Sequence, residues 1–250
     1  MKKELVKTSN YERFRTGITS VEQRGAAEAS LMLVVGDPGF SKSIVVNKWA
    51  IESKAVYLRA KVGWTPSRFL TELAEELRLD TSGRMKEVFA RVISAVGRQQ
   101  VPIVIDEVQH TLANGARVLE AVRDISDLTE TIVVLVAGEE RVQAKIARYP
   151  QISSRIGKVV EFQAASMEDV ERCCKDLADV TITRDLAEEI HRQSGGRMRD
   201  VINAIALVER AAKRSGANKV ALADFAGKAL VHDWQARRPR TAALHPSQGR

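Results

Sequence analysis

Residues 34–46 read VVGDPGFSKSIVV. An apolar run, Leu31 to Val35, meets a turn holding two glycines and a proline, and a helix-compatible stretch from about Lys42 to Ser53 follows. A strand that turns sharply into a helix aims backbone N–H groups and the positive end of the helix at one point, where phosphate is favoured. Gly36, Gly39, Lys42 and Ser43 hold the offsets of a phosphate-binding loop, in which lysine reaches the outer phosphates and a hydroxyl ligates magnesium. The cradle is thus Gly36, Asp37, Pro38, Gly39, Phe40, Ser41, Lys42 and Ser43. Ser41 is the departure, because glycine at that place relieves dihedral strain and lets the backbone approach phosphate. Serine adds one small side chain, and its hydroxyl can itself contact phosphate.

Working outward, VPIVIDE (101–107) is a second apolar strand, ending in two acids. In a parallel sheet the carboxyl ends of the strands face the ligand crevice. Asp106 there can hold magnesium through water, and Glu107 can orient and polarise an attacking water. Taken alone, the strand could end in solvated acids. The phosphate loop about 65 residues upstream, with one further strand between, favours ATP and Mg2+ as ligands and hydrolysis as the reaction.

The remaining pattern supplies the scaffold. Residues 55–58 are strand-like, and TIVVLVAGEE (131–140) and KVVEF (158–162) read as later strands. Helix-compatible stretches cover about 18–29, 85–96 and 115–125. In TPSRFLTELAEELRL, Thr65 can cap a helix, Pro66 suits its first turn, and Phe69, Leu70, Leu73 and Leu77 recur at helical spacing. Strands alternating with helices predict an α/β fold with a parallel five-stranded sheet flanked by helices. From Ala164 onward helices alone are expected, at 167–177, 185–193, 198–213 and 220–230, as a small all-helical lid. The expected organisation is a segment and helix over 1–29, a nucleotide-binding core over 30–163, a lid over 164–232 and a basic, flexible tail over 233–250.

Two arginines follow the nucleotide motifs. Arg155, in ISSRIGK, can reach the γ-phosphate on a neighbouring subunit, and Arg199, in SGGRMRDVINAI, can clamp phosphate from the first turn of a lid helix. Either arginine alone reads as a solvated surface residue; their order after the two motifs favours function.

The chain resembles the AAA+ ATPases of DNA transposition, especially phage Mu transposition protein B and its relatives, from about Ser30 to Leu207. The resemblance rests on VVGDPGFSKS, GWTPSRFLTELAEELRL, IVIDEVQH, VLVAGEERV, SSRIGK and GGRMRDVINAI. It implies an AAA+ P-loop domain with a helical lid, ATP-dependent self-association into a helical filament or ring on duplex DNA, target-site choice, and stimulation of a transposase. It also implies that Lys42, Ser43, Asp106, Glu107, Arg155 and Arg199 serve the nucleotide. Besides Ser41, the chain departs from the family at the end of strand four, where Glu139 and Glu140 replace a small polar sensor. A carboxylate beside the γ-phosphate is repelled, so slow hydrolysis or an averted Glu139 is expected. The N-terminal helix-turn-helix domain of the Mu protein has no counterpart here, so DNA contact is expected from the core. The candidates are Lys61, Trp64, Arg68, Arg84, Lys86, Arg117 and Arg123, which as a group would neutralise phosphates with little base preference.

Composition narrows the classes. The 250 residues are 44% hydrophobic and 28% charged, as in a globular protein, and the net charge of +7 suits a polyanionic partner. Aromatic content of 5% argues against a base-stacking single-strand binder. No apolar run approaches a membrane span, so no membrane partner is expected. Cys173 and Cys174 are neighbours, a poor disulfide and too few ligands for zinc, which fits the cytoplasm, and the resemblance implies that of a bacterial host cell. His110 reads as a packing or capping residue. Two other functions fit the same motifs: another AAA+ DNA-handling ATPase of helicase-loader or initiator type, and an ATP-binding scaffold that does not hydrolyse.

Overall fold

The computed structural model describes residues 1–2, 4–138 and 141–231. Five parallel strands, β1 (Leu31–Val35), β2 (Val56–Arg59), β3 (Ile103–Asp106), β4 (Val133–Val136) and β5 (Ile156–Glu161), form one sheet in the order β2-β3-β4-β1-β5. β1, β3 and β4 are buried along their whole length, as continuous apolar runs covered on both faces must be. Because side chains alternate across a strand, Met32, Val34, Val104, Val134 and Val136 fill one face of the sheet. Leu31, Leu33, Ile103, Ile105, Val133 and Leu135 fill the other.

The first face is covered by α1 (Ser9–Glu22) and α2 (Lys42–Glu52). α1 lies earlier than the expected 18–29. The Thr8 side chain caps it by accepting from the Tyr11 N–H, and Phe14, Ile18 and Val21 then fall on one buried stripe against β5 and β1. The second face carries α3 (Pro66–Glu76), α4 (Met85–Gln99), α5 (Ala113–Thr129) and the short α6 (Val142–Ile146) and α7 (Pro150–Ser153). α3 starts as expected, with the Thr65 side chain accepting from the Arg68 N–H and Pro66 in the first turn.

Beyond β5 the chain forms α8 (Met167–Leu177), α9 (Arg184–Ser194) and α10 (Met198–Ser215), packed on a core of their own that includes Val170, Leu186, Ile190, Val201, Ile205 and Val208. Ser166 and Asp169 close a reciprocal cap on α8. The expectation of helices alone is corrected here. Residues 220–230 do not form a helix: β7 (Lys219–Val220) pairs in parallel with β6 (Thr181–Ile182), and a 3₁₀ turn at Leu222–Phe225 follows. Val220, Phe225 and Leu230 are all buried in the lid core, a spacing of five that no single helix face supplies. The N-terminal segment ties the two layers together, with Val6 in the lid core and the Ser9 N–H and hydroxyl both donating to Asp169. Among the described residues no helix is long and apolar enough to cross a membrane. The tail expected over 233–250 lies outside the described residues.

Candidate nucleotide site

The carboxyl ends of β1 and β3 are neighbours of β4 in the sheet, so the topology brings the phosphate loop and the acid pair to one edge. Gly36 leaves β1 with φ +136°, and a Cβ there would stand 2.4 Å from the Phe162 carbonyl oxygen, so only glycine fits. Ser41 occupies the left-handed region with φ +63°. Its hydroxyl donates to the Phe40 carbonyl at 2.7 Å and makes no cap on α2. The first turn of α2 also lacks an acidic side chain. A helix whose first N–H groups have neither cap nor counter-charge retains donors and positive potential for an anion.

Lys42 is buried, and its ammonium donates to the Gly36 carbonyl at 2.6 Å and the Asp37 carbonyl at 2.9 Å. Desolvation holds its pKa below the ordinary lysine value, against the pull of Asp37, Asp106 and Glu107. The side chain therefore lies folded across the loop, and a phosphate group would supply the counter-charge that two carbonyls do not.

Asp106 ends β3 and is buried; its Oδ1 accepts the Glu107 backbone N–H at 2.8 Å, and its Oδ2 accepts the Tyr57 hydroxyl at 2.6 Å. That phenol is pushed well above the ordinary tyrosine range by burial and by Asp106. Glu107 takes a left-handed φ of +56°, a conformation that costs a non-glycine residue about 1–3 kcal/mol and collects at functional sites. Its Oε1 pairs with Arg59 at 3.1 Å, and its Oε2 accepts from the Gln109 amide at 2.5 Å. The Gln109 side-chain Oε1 in turn accepts the Gly138 N–H at 2.9 Å, just beyond β4. A Cβ at Gly138 would fall 2.3 Å from Glu107 Oε2 and 2.6 Å from Gln109 Nε2, so these two side chains fill the space beside it. Glu139 and Glu140, expected to crowd this place, lie outside the described residues.

One cleft of about 420 Å³ gathers Gly39, Ser41, Lys42, Ser43, Asp106, Glu107 and Arg199. Arg199 reaches it from the first turn of α10, whose backbone N–H donates to the Gly39 carbonyl at 3.3 Å. Among the described residues no carboxylate pairs with the Arg199 side chain. A second, apolar cavity of about 350 Å³ adjoins the first, sharing Ser41, Ile44 and Ile202 and continuing along Val6, Val45, Ile51 and Met198. Arg155 stands apart. It immediately precedes β5, and its carbonyl accepts from Leu31 at the start of β1, so it lies at the opposite edge of the sheet from the cleft. There its guanidinium donates to Asp127 at 3.0 Å.

The seven DNA candidates stand in different surroundings. Trp64 is corrected outright: it is 3% exposed and packs its ring on Phe69 in the core, so no DNA can reach it. Lys61 and Arg68 share Glu72 at 3.0 and 3.1 Å. Arg117 is exposed beside Pro66, and Arg84 and Lys86 are exposed at the start of α4. Arg123 pairs with Asp124 and lies near Asp127, on the side of Arg155. Tyr57, Arg59 and Gln109 escaped the sequence reading. Positions 57 and 59 of a strand face the same way, which is the one signal that could have found the first two.

A five-stranded parallel sheet with this order, a phosphate loop after β1, an acid pair after β3 and a helical lid is the AAA+ fold. A family model described as an AAA domain matches residues 25–146. Cdc6p from Pyrobaculum aerophilum superposes with a TM-score of 0.61 at 16% identity, over 84% of this chain and 62% of that one. The Aeropyrum pernix ORC1 protein in complex with DNA gives 0.57 at 15%, over 88% and 63%. The Thermotoga maritima RuvB Holliday junction branch migration motor gives 0.56 at 17%, over 85% and 64%. The chain thus spans less than two thirds of the length of each of these relatives in fold. No curated protein matches the sequence.

Proposed function

We propose that the chain is a magnesium-dependent ATPase that assembles on duplex DNA, each nucleotide being completed by an arginine of the next copy. The observation that carries this reading is the single cleft in which Lys42, Ser43, Asp106, Glu107 and Arg199 converge, with Arg155 at the far edge of the same sheet. The phosphates would lie in the cleft against the free N–H groups of α2, and the base in the adjoining apolar cavity. Ser43 and Asp106 offer hard oxygen donors, and among the described residues no group of three or more His, Cys, Asp or Glu assembles a fuller site. So sparse a set fits magnesium, which takes one or two protein ligands together with phosphates and water. Held there, the ion would neutralise charge on the phosphates.

The protein groups do the rest. Lys42 exchanges its two carbonyls for phosphate oxygens. Glu107 accepts hydrogen bonds from water and orients it in line with the bond that breaks. In the resting chain that carboxylate is occupied by Arg59 and Gln109, so both contacts must loosen before it can serve. The Arg59 pair is open to solvent and worth at most about 1 kcal/mol, so nucleotide or DNA can displace it. Arg155 would leave Asp127 for the γ-phosphate of a neighbouring copy.

The finer role we propose is that of a transposition regulator, binding DNA without sequence preference, choosing target sites and stimulating a transposase in the bacterial cytoplasm. Its support is the resemblance along GWTPSRFLTELAEELRL, a stretch outside the general nucleotide machinery, and the net charge of +7. The likeness in fold to Cdc6p and ORC1 supports a second reading, an initiator or loader ATPase. The test is Glu107→Gln with ATP, ADP or no nucleotide on duplex DNA, by negative-stain microscopy and phosphate release. ATP-dependent assemblies that persist in the variant without phosphate release support the ATPase; wild-type turnover in the variant removes Glu107 from it. Stimulation of strand transfer by a purified transposase separates the first role from the second.

A further inference from the structure

The strand beside the acid pair has a job of its own. Tyr57 and Asp106 come from neighbouring strands, and β2 and β3 are in register, Tyr57 opposite Val104 and Arg59 opposite Asp106. The Tyr57 ring packs against the core under α2, which fixes where its hydroxyl stands. That hydroxyl donates to Asp106 Oδ2 at 2.6 Å while the Glu107 N–H donates to Oδ1 at 2.8 Å. The Ser43 hydroxyl lines the same cleft as this carboxylate. A carboxylate with one donor on each oxygen cannot rotate about its bond, yet each oxygen keeps a further lone pair. Held on one side only, it would swing.

We infer that Tyr57 is a positioning residue for the metal: its hydroxyl orients the Asp106 carboxylate toward Ser43, so that the two oxygens meet a divalent cation as a pre-set pair. This rests on the magnesium site proposed above. Partners that orient a ligand are worth about 10- to 100-fold in metal affinity. Phenylalanine at the same place keeps the ring and its packing and removes the donor.

The experiment measures binding of a fluorescent ADP analogue, first in EDTA and then across a Mn2+ titration, for the wild type, Tyr57→Phe, Asp106→Asn and the double variant. Equal affinity in EDTA for wild type and Tyr57→Phe is expected, with the Mn2+ concentration for half-maximal enhancement raised about 10- to 100-fold in Tyr57→Phe. On the Asp106→Asn background, Tyr57→Phe should add no further change, because the hydroxyl acts through that carboxylate. Thermal unfolding reports whether each variant is folded. An unchanged Mn2+ requirement in Tyr57→Phe overturns the inference, and so does a full additional shift in the double variant. A wild type whose nucleotide affinity ignores Mn2+ overturns the magnesium site itself and the inference with it. A normal wild-type response with an unmoved Tyr57→Phe removes only the role of the tyrosine.

Discussion

Ser41 sits where a phosphate loop carries its last glycine, and its backbone keeps the glycine conformation, φ +63° and ψ +18°. An L-residue held left-handed gives up about 1–2 kcal/mol. Serine recovers part of this through its hydrogen bond to the Phe40 carbonyl at 2.7 Å, worth about 1 kcal/mol net. Replacing it by glycine removes the strain, loses that bond, and adds about 0.5–1 kcal/mol of unfolded-chain entropy. The three terms nearly cancel, so Ser41→Gly should unfold within about 1 kcal/mol of the wild type. Ser41→Ala keeps the strain and loses the bond, and should be destabilised by about 1 kcal/mol, or about 2–4 °C in Tm for a chain of this size. Ser41→Val adds a β-branch in a region such residues avoid, and should lose about 2 kcal/mol or more. Thermal and urea unfolding of the nucleotide-free series, with fluorescent-nucleotide binding beside it, gives the order glycine equal to serine, then alanine, then valine. Valine as stable as the wild type would mean the loop is not held left-handed. Glycine that abolishes nucleotide binding would make the serine hydroxyl a ligand and refute the backbone account.

Lys42→Ala should lose nucleotide binding and keep the fold, since among the described residues the ammonium donates to two carbonyls of its own loop; unchanged affinity in a folded variant would displace the site. Arg155→Ala should bind ATP yet lose about 10³-fold or more in turnover, the contribution of an arginine acting from a neighbour. Mixed with Glu107→Gln it should regain activity at interfaces that pair the intact arginine with the intact glutamate, and no recovery in co-assembled protein would count against a shared site. Burial pushes the Cys173 and Cys174 thiols up to about 12. Both should resist a thiol-disulfide reagent at pH 8 until urea is added, whereas immediate titration of either in the native protein would show it exposed. The same shift has a sign: the folded chain keeps protons that unfolded thiols lose near their ordinary 9.0, so this stabilisation is complete below about pH 9 and declines as pH rises toward 12.

Local chemistry determined what the sequence could announce. Leu31–Val35 and Ile103–Asp106 are apolar without interruption because both faces of their strands are covered, and that pattern is written in consecutive residues. Gly36 is dictated by a carbonyl that leaves no space for a Cβ, and Thr65 and Ser166 by the N–H groups they cap, all within a turn or an adjoining strand. β1 with its glycine turn, β3, α3 and α8 were legible for this reason. Tertiary structure decided the rest. Register between β2 and β3 put Tyr57 on Asp106 and Arg59 beside Glu107, and nothing in VYLR alone specifies a partner 48 or 49 residues away. Packing against Phe69 withdrew Trp64 from the surface where its neighbours Lys61 and Arg68 remain. Pairing of Lys219–Val220 with Thr181–Ile182 replaced the expected helix, because a strand partner and a buried Phe225 outweighed local propensity. Arg155 shows the division most plainly: its place after the nucleotide motifs is a matter of sequence, but its position across the sheet from its own cleft, bonded to Asp127, exists only once the parallel strands are laid side by side.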